Sequence, residues 1–426
     1  MSNKKTIRAW TFYDWANSAY PLVISSAIFP IFFEAVTSTK DASGKIVSDI
    51  VQLFGYNFKN TELYSYVISF SFLIVSMLSP LLSGIADYSG NKKMFMKFFC
   101  YMGAIATSCL YFFNVEHLAL SMLTVMLASI GFWSSLVFYN AFLPEIAPPQ
   151  EHDKISARGY AMGYFGSALL LIINLIAIQK FAMPARWAFV SVGIWWVGFA
   201  QITYRNLPET KHHNKEKANI FKGFNELKLV WKNLENLPNL KKYLTSFFVY
   251  SMGVQTIMIM AVLFAKKEIH DLKDADLIIS VLLIQFVGIL GSYTFSWLSK
   301  KLGNIKALMV AVFIWILICV GTYSLVYHAT QFYIVAASVG MVMGGIQSLS
   351  RSTYSKLLPE TDDHASYFSF YDVCEKVGII IGTFAFGFIE GITGGMRNSI
   401  LSLIVFFIVG MLLLFRVKPL NRNVQV

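Results

Sequence analysis

LYSYVISFSFLIVSMLSPLLSGIA, residues 63–86, contains no charged side chain, and DYSGNKK, residues 87–93, follows it directly. An α-helix of about 20 apolar residues crosses the hydrocarbon core of a bilayer, so the first stretch reads as a membrane span. The short basic segment after it reads as the loop that turns the chain back. The same alternation recurs along the sequence. Twelve apolar runs qualify, at roughly 12–35, 63–86, 95–113, 118–143, 158–180, 186–204, 243–265, 276–299, 307–327, 331–352, 367–390 and 398–416. They are too long for barrel strands, which leaves helices.

Composition agrees. Of 426 residues, 56% are hydrophobic and 14% are charged, where a soluble domain carries about 25% charged residues. That is too little charge for a water-facing surface of this size. The net charge of +11 sits in short clusters between the runs. Membrane topology accounts for that placement, and nucleic acid is not an expected partner. With the N-terminus placed inside, 25 of the 35 Lys and Arg residues fall in inner segments and 9 in outer ones, with Lys376 inside a span. The imbalance puts both termini in the cytoplasm. Lys4, Lys5 and Arg8 precede a first run with no small-residue cleavage exit, so that run is read as a retained span.

Cys100, Cys109, Cys319 and Cys374 lie in or beside apolar runs, without metal-ligand or redox spacing. No phosphate-binding loop, HExxH or GxSxG motif occurs. The chain therefore reads as a non-enzyme with no metal and no cofactor, and as having no domain to use ATP. His212 and His213 fall in the central loop and read as solvated.

The halves repeat. Gly90-Asn91-Lys92-Lys93 after the second run matches Gly303-Asn304-Ile305-Lys306 after the eighth. Tyr139-Asn140-Ala141-Phe142-Leu143-Pro144-Glu145 after the fourth matches Tyr354-Ser355-Lys356-Leu357-Leu358-Pro359-Glu360 after the tenth. The offsets nearly agree and are about half the chain. The expected fold is an all-α membrane protein of twelve transmembrane helices in two pseudo-symmetric six-helix bundles, 1–204 and 243–426. A cytoplasmic linker, 205–242, joins them. Within the linker, Ile220, Phe221, Phe224, Leu227, Val230, Trp231, Leu234 and Leu237 recur at helical spacing among Lys222, Lys228 and Lys232. This predicts an amphipathic helix at the membrane surface that tethers the halves.

Asp87-Tyr88-Ser89-Gly90-Asn91-Lys92-Lys93 resembles the loop between spans two and three of the major facilitator superfamily. Ser83 stands where that motif has a glycine, with Gly84 next, and the repeat copy has Lys300 in place of the Asp. Tyr13-Asp14-Trp15-Ala16-Asn17-Ser18-Ala19-Tyr20, Gln347-Ser348-Leu349-Ser350-Arg351-Ser352 and Tyr371-Asp372 are similar to the vacuolar amino-acid effluxer branch of that superfamily. The resemblance implies the major facilitator fold and a secondary transporter working by alternating access. Amino acids are the implied solute class, with proton coupling as an option.

Polar groups inside spans are costly and face a cavity or a partner. Asp14, Asn17, Ser18, Pro21 and Ser25 share one face of span one. Asn17, Ser18, Gln347 and Tyr371 are the candidate substrate contacts. Asp14 is either a gating group or a cap at the helix start. Asp87, Lys92 and Lys93 are expected to form a latch, with Asp87 pairing a cation or a helix N-terminus across the halves. Arg351 is either a gating cation or an anchor at the interface, and Gly340 and Gly344 on its helix permit close packing. Arg158 opens span five and either meets an anion or anchors topology. Asp372 and Lys376 are four residues apart and can neutralise each other. Glu375 is then left over, as a proton carrier or as a solvated interface residue.

The expected partners are a small-molecule substrate, the lipid bilayer and protons, and the protein is expected to be a monomer in a bacterial cytoplasmic membrane. Transport of a drug-like or sugar-like solute, and a non-transporting receptor or scaffold on the same fold, remain open alternatives at this point.

Overall fold

A computed structural model describes residues 3–40, 46–209, 220–269 and 271–419. His212 and His213 lie outside the described residues, as do the side chains of Ile220, Phe221, Lys222, Phe224 and Leu227. Spans one to six are Lys4–Thr37, Asn60–Ser89, Lys92–Cys109, Leu118–Ala141, His152–Phe181 and Arg186–Asn206. Spans seven to twelve are Pro238–Glu268, Asp274–Leu302, Asn304–Leu325, Ala329–Leu357, His364–Thr393 and Met396–Leu414. Among the described residues, eleven of these helices are long and apolar enough to cross a bilayer by composition alone. The exception is span six, which carries Gln201, Arg205, Trp187, Trp195 and Trp196. It packs against spans one and three as an ordinary member of its bundle.

Many helices run past the apolar runs that announce them. Span one starts at Lys4 and span five at His152, because a polar first turn is still helical but carries no hydropathy signal. Two expectations change as a result. Asn3 caps span one, accepting from Lys5 N at 3.0 Å, so Asp14 is about three turns in and does not cap the helix. Arg158 is about two turns inside span five and does not open it.

The packing repeats with a period of six spans. Span one lies on five and six, and seven lies on eleven and twelve. Three lies on four and six, and nine on ten and twelve. Two lies on four, and eight on ten. The halves meet where two crosses eleven and where eight crosses five. The repeated glycines hold equivalent places. Gly90 closes span two with φ +66° and Gly303 closes span eight with φ +87°, a region that glycine enters without a Cβ penalty.

Small residues set the closest approaches. A Cβ on Gly291 would sit 2.0 Å from Met341 O, and one on Gly344 2.1 Å from Gly288 O, so the backbones of spans eight and ten touch. Gly159 and Gly163 bring span five onto span one in the same way that Gly378 and Gly382 bring span eleven onto span seven. Leu290, Trp297, Phe384 and Phe388 are exposed on the outer wall, which faces hydrocarbon in a bilayer.

Thr6 donates to Asn206 O, and Lys418 N donates to Asn239 Oδ1, so both chain ends lie at one end of the bundle, here the terminal end. The linker helix, Ile220–Glu235, packs beneath span two. Val230 and Leu234 are buried, Lys228 and Lys232 are exposed, and Trp231 rests against Phe370 of span eleven. The opposite end carries a small antiparallel hairpin, Ile50–Leu53 with Tyr56–Lys59.

Gly344→Val should lower the thermal unfolding midpoint in detergent by the equivalent of about 1–3 kcal/mol or more, from overpacking. Gly321→Ala, with nothing within 4 Å of its added Cβ, should leave that midpoint unchanged. Equal midpoints for the two variants would contradict the close approach of spans eight and ten.

Candidate functional site

Span one does not continue as a plain α-helix. Its α-helical start, Lys4–Asn17, gives way to a π-helical stretch, Tyr20–Ile28, before α-helix resumes at Phe29–Thr37. Pro21 has no N–H for the carbonyl of Asn17, and the ladder re-forms with a wider turn, seen where Phe29 N donates to Ile24 O. The single α-periodic face expected for Asp14 through Ser25 therefore breaks after Ser18. Asn17 is buried, with its Nδ2 unpartnered. Ser18 donates weakly to Asn17 Oδ1 at 3.4 Å and packs on Gly163.

Asp14 meets Arg351 of span ten. The Nη2 to Oδ2 distance is 3.2 Å, and the two side chains are 2% and 7% exposed. Tyr139 Oη donates to the same carboxylate oxygen at 2.7 Å. Arg351 also donates from Nε to Ser156 Oγ at 2.9 Å, from Nη2 to Ser156 O at 3.0 Å and from Nη1 to Asn140 Oδ1 at 3.4 Å. Its guanidinium lies 4.3 Å from the Tyr160 ring centre and 4.8 Å from that of Trp10. Arg351 is thus a buried cation rather than an interface anchor, reaching from the second half into spans one, four and five. Gly159 makes this possible, since a Cβ there would stand 2.2 Å from Asp14 Oδ2. Arg158 is half-buried beside this cluster in sequence, but Asp14 takes Arg351 instead.

Two more polar crossings lie at the terminal end. Asp87 accepts from the backbone N–H of Ala365 at 3.2 Å and of Ser366 at 2.6 Å, so it sits on the positive end of span eleven. Lys92 lies 3.4 Å from Asp87, pairs with Glu145, and donates to Asp362 O at 3.1 Å. His364 Nδ1 lies 3.3 Å from Glu145. Lys93 is not part of this latch. Its Nζ donates to Leu207 O at 3.0 Å, at the end of span six in its own half. At the pseudo-equivalent crossing, Asp153 in the first turn of span five accepts from Ser299 at 2.8 Å, Asn304 at 2.7 Å and Lys356 at 2.7 Å. Among the described residues, the pairs Lys267–Glu390, Arg397–Glu268 and His328–Asp271 at the opposite end each stay within the second half.

Deeper in the seam, Tyr164 Oη donates to Gln347 Oε1 at 2.6 Å, and Gln347 Nε2 lies 3.3 Å from Met258 Sδ. Three residues before Met258, Gln255 Nε2 donates to Glu375 Oε1 at 2.6 Å. Lys376 pairs with Asp372 at 3.2 Å, as the spacing predicts, and also with Glu375 at 2.7 Å. Glu375 is therefore not left over. One ammonium serves two carboxylates, and it lies 3.6 Å from the centre of the Trp133 ring on span four. Tyr371 departs from its expected role. Its ring is stacked 4.1 Å from Phe247 and packed on Tyr354, which places it in the aromatic core of the second half.

Residues 2–424 match the family described as vacuole effluxer Atg22 like. The chain belongs to that family. It is 30% identical over 96% of its length to the uncharacterized MFS-type transporter YxiO of Bacillus subtilis, covering 94% of that protein. It is 22% identical to autophagy-related protein 22 of Gibberella zeae, over 93% of this chain and 77% of that one. Its backbone superposes on the E. coli fucose:proton symporter FucP with a TM-score of 0.66, at 14% identity over 98% of each chain. The protein is a membrane transporter of the major facilitator type and not an enzyme.

Sequence reading overlooked Tyr139, Glu145, Asp153, Ser156, Tyr164, Gln255, Asn304, Lys356 and His364. Tyr139, Glu145, Asn304 and Lys356 lie inside the repeated motifs, which is a usable signal. Asp153 has none, because its partners are about 150 to 200 residues away in the chain.

Arg351→Met leaves Asp14 buried without its cation and should cost about 3–5 kcal/mol, read as a lower unfolding midpoint in detergent. Asp14→Leu combined with Arg351→Met should recover most of that loss. A double variant as unstable as the single one would show that the pair's hydrogen bonds, not its charge balance, hold the seam.

Proposed function

We propose that the protein exports amino acids or closely similar small metabolites across a bacterial cytoplasmic membrane, as a proton-coupled monomer. In this reading, bundles 1–204 and 243–426 rock about the seam, with 205–242 as the tether. Both termini are cytoplasmic, in line with the 25-to-9 split of basic residues. The observation that carries the proposal is the concentration of cross-half polar contacts at the terminal end. Asp14–Arg351, Asp87 on span eleven and Asp153–Lys356 all link the halves there. In this reading these contacts belong to a state closed to the cytoplasm. Alternating access needs such contacts to break and re-form while the packing within each bundle persists. Asp87, Lys92 and Arg351 act as gate residues in this scheme. Asp372, Glu375 and Lys376 are the buried titratable cluster available for coupling. The amino-acid class rests on the resemblance of Tyr13-Asp14-Trp15-Ala16-Asn17-Ser18-Ala19-Tyr20 and Gln347-Ser348-Leu349-Ser350-Arg351-Ser352 to the vacuolar amino-acid effluxer branch, and the family description itself names efflux without a solute.

Purified protein in liposomes should accumulate labelled amino acids when a pH gradient is imposed, and an uncoupler should abolish the accumulation. Movement of amino acids indifferent to the gradient would remove the coupling, and movement of sugars or drug-like cations in their place would remove the solute class. Asp87→Asn keeps the side-chain shape but weakens charge-assisted bonds to the span eleven N-terminus. A loss of about 1–2 kcal/mol in the closed state should slow exchange about tenfold without reducing inserted protein. A wild-type rate in that variant would defeat the gate.

A further inference from the structure

Lys376 is 12 positions into span eleven, about 18 Å along the helix axis, so it lies near mid-depth of a hydrocarbon core about 30 Å thick. It is fully buried and faces two carboxylates, Asp372 and Glu375. Its bond to Glu375 is unusual, because neighbouring residues on a helix do not face each other. Both side chains must bend toward the seam to meet.

Each has a second hold that survives if they part. Glu375 keeps the amide of Gln255, and Lys376 keeps Asp372 and the face of Trp133. The Asp14–Arg351 pair differs, since Arg351 is closed in by partners on every side. The Glu375 side chain is also the most open charge in this part of the seam, at 19% exposed against 0% for Lys376 and 8% for Asp372.

The surroundings hold unspent hydrogen-bonding capacity. Asp372 Oδ2 is buried beside Ser79 Oγ of span two, and among the described residues neither atom has any other hydrogen-bond partner. Met258 follows Gln255 by about one turn of span seven, and its thioether, a weak acceptor, is the partner of the Gln347 amide N–H from span ten.

We propose that Glu375 and Lys376 are the paired subsite for the ammonium and carboxylate of an amino-acid substrate, and that their mutual ion pair holds the place the substrate takes. The inference rests on the transport reading above and names the residues that make it selective. On binding, the substrate ammonium displaces Lys376 from Glu375, and Lys376 turns its freed donor to the substrate carboxylate, with the Gln347 amide beside it. A zwitterion adds no net charge, so one ion pair becomes two and no buried charge is orphaned. An amine without the carboxylate leaves Lys376 short of an acceptor. An acid without the amine sets a carboxylate against Glu375. A site built from polar groups rejects analogues that leave those groups unpaired.

The test uses the full chain in liposomes. Uptake of each labelled standard amino acid is measured, and the best of them is then competed with its decarboxylated amine and its deaminated carboxylic acid. On the unaltered protein, both analogues should compete at least tenfold more weakly than the amino acid. Glu375→Gln leaves the Lys376–Asp372 pair intact and should cut amino-acid transport at least tenfold. Asp372→Asn with Lys376→Met removes one charge of each sign and should abolish the preference over the amine. Analogues that compete as well as the amino acid overturn the subsite. Wild-type amino-acid transport in Glu375→Gln also overturns it and leaves the transport reading standing. If the unaltered protein moves no amino acid but does move another solute class, both the subsite and the amino-acid reading fall.

Discussion

A guanidinium buried between two helix bundles has to be answered by charge and by hydrogen bonds, and the seam of this protein is arranged around that requirement. Arg351 projects from span ten into the first half, where Asp14, Ser156 and Asn140 accept its hydrogen bonds and Trp10, Tyr139 and Tyr160 surround its plane. Removing either charge strands the other away from water, so the contact acts as all or none. Such a contact suits a gate. It holds one arrangement firmly and gives little to arrangements between closed and open.

The rest of the terminal end follows the same logic with different chemistry at each crossing. Where span two meets span eleven, a carboxylate lies on a helix N-terminus, with Lys92 and His364 shared through Glu145. Where span eight meets span five, the carboxylate is on span five, and a lysine, an asparagine and a serine come from the second half. The backbone pseudo-twofold is kept while the charges are redistributed. Lys300 replaces the aspartate in the second copy of the loop motif, and Asp153 supplies an acid at that crossing from the other half. Close glycine packing inside each bundle contrasts with the polar contacts between them. Rigid bodies that share a polar seam are the mechanical condition for rocking.

The spans, the repeat and the basic asymmetry were legible in the sequence because each is a local or periodic property. Among the site residues, Asp87 and its helix-end contact, Lys92, and the four-residue spacing of Asp372 and Lys376 were legible too. Three readings changed on folding. Lys93 turned to its own half, Tyr371 went into an aromatic stack, and Glu375 acquired both an amide and an ammonium. Each change depends on which neighbouring helix lies opposite a side chain, and helical periodicity gives a direction without naming the neighbour. The π-helical stretch of span one carries Pro21 in its first turn, a residue that removes a helix hydrogen bond. Whether a proline bends a helix or widens its turn depends on the packing around it.

By itself, the sequence determined that this chain lives in a bilayer as two related sets of helices, since hydropathy, charge bias and repeated motifs need no knowledge of contacts. Tertiary structure alone decided which charges become partners. Asp14 and Arg351 are 337 positions apart, and Asp153 and Lys356 are 203 apart. Only the docking of one bundle on the other brings them within bonding distance, and in a medium that does not solvate charge that proximity determines what each residue can do.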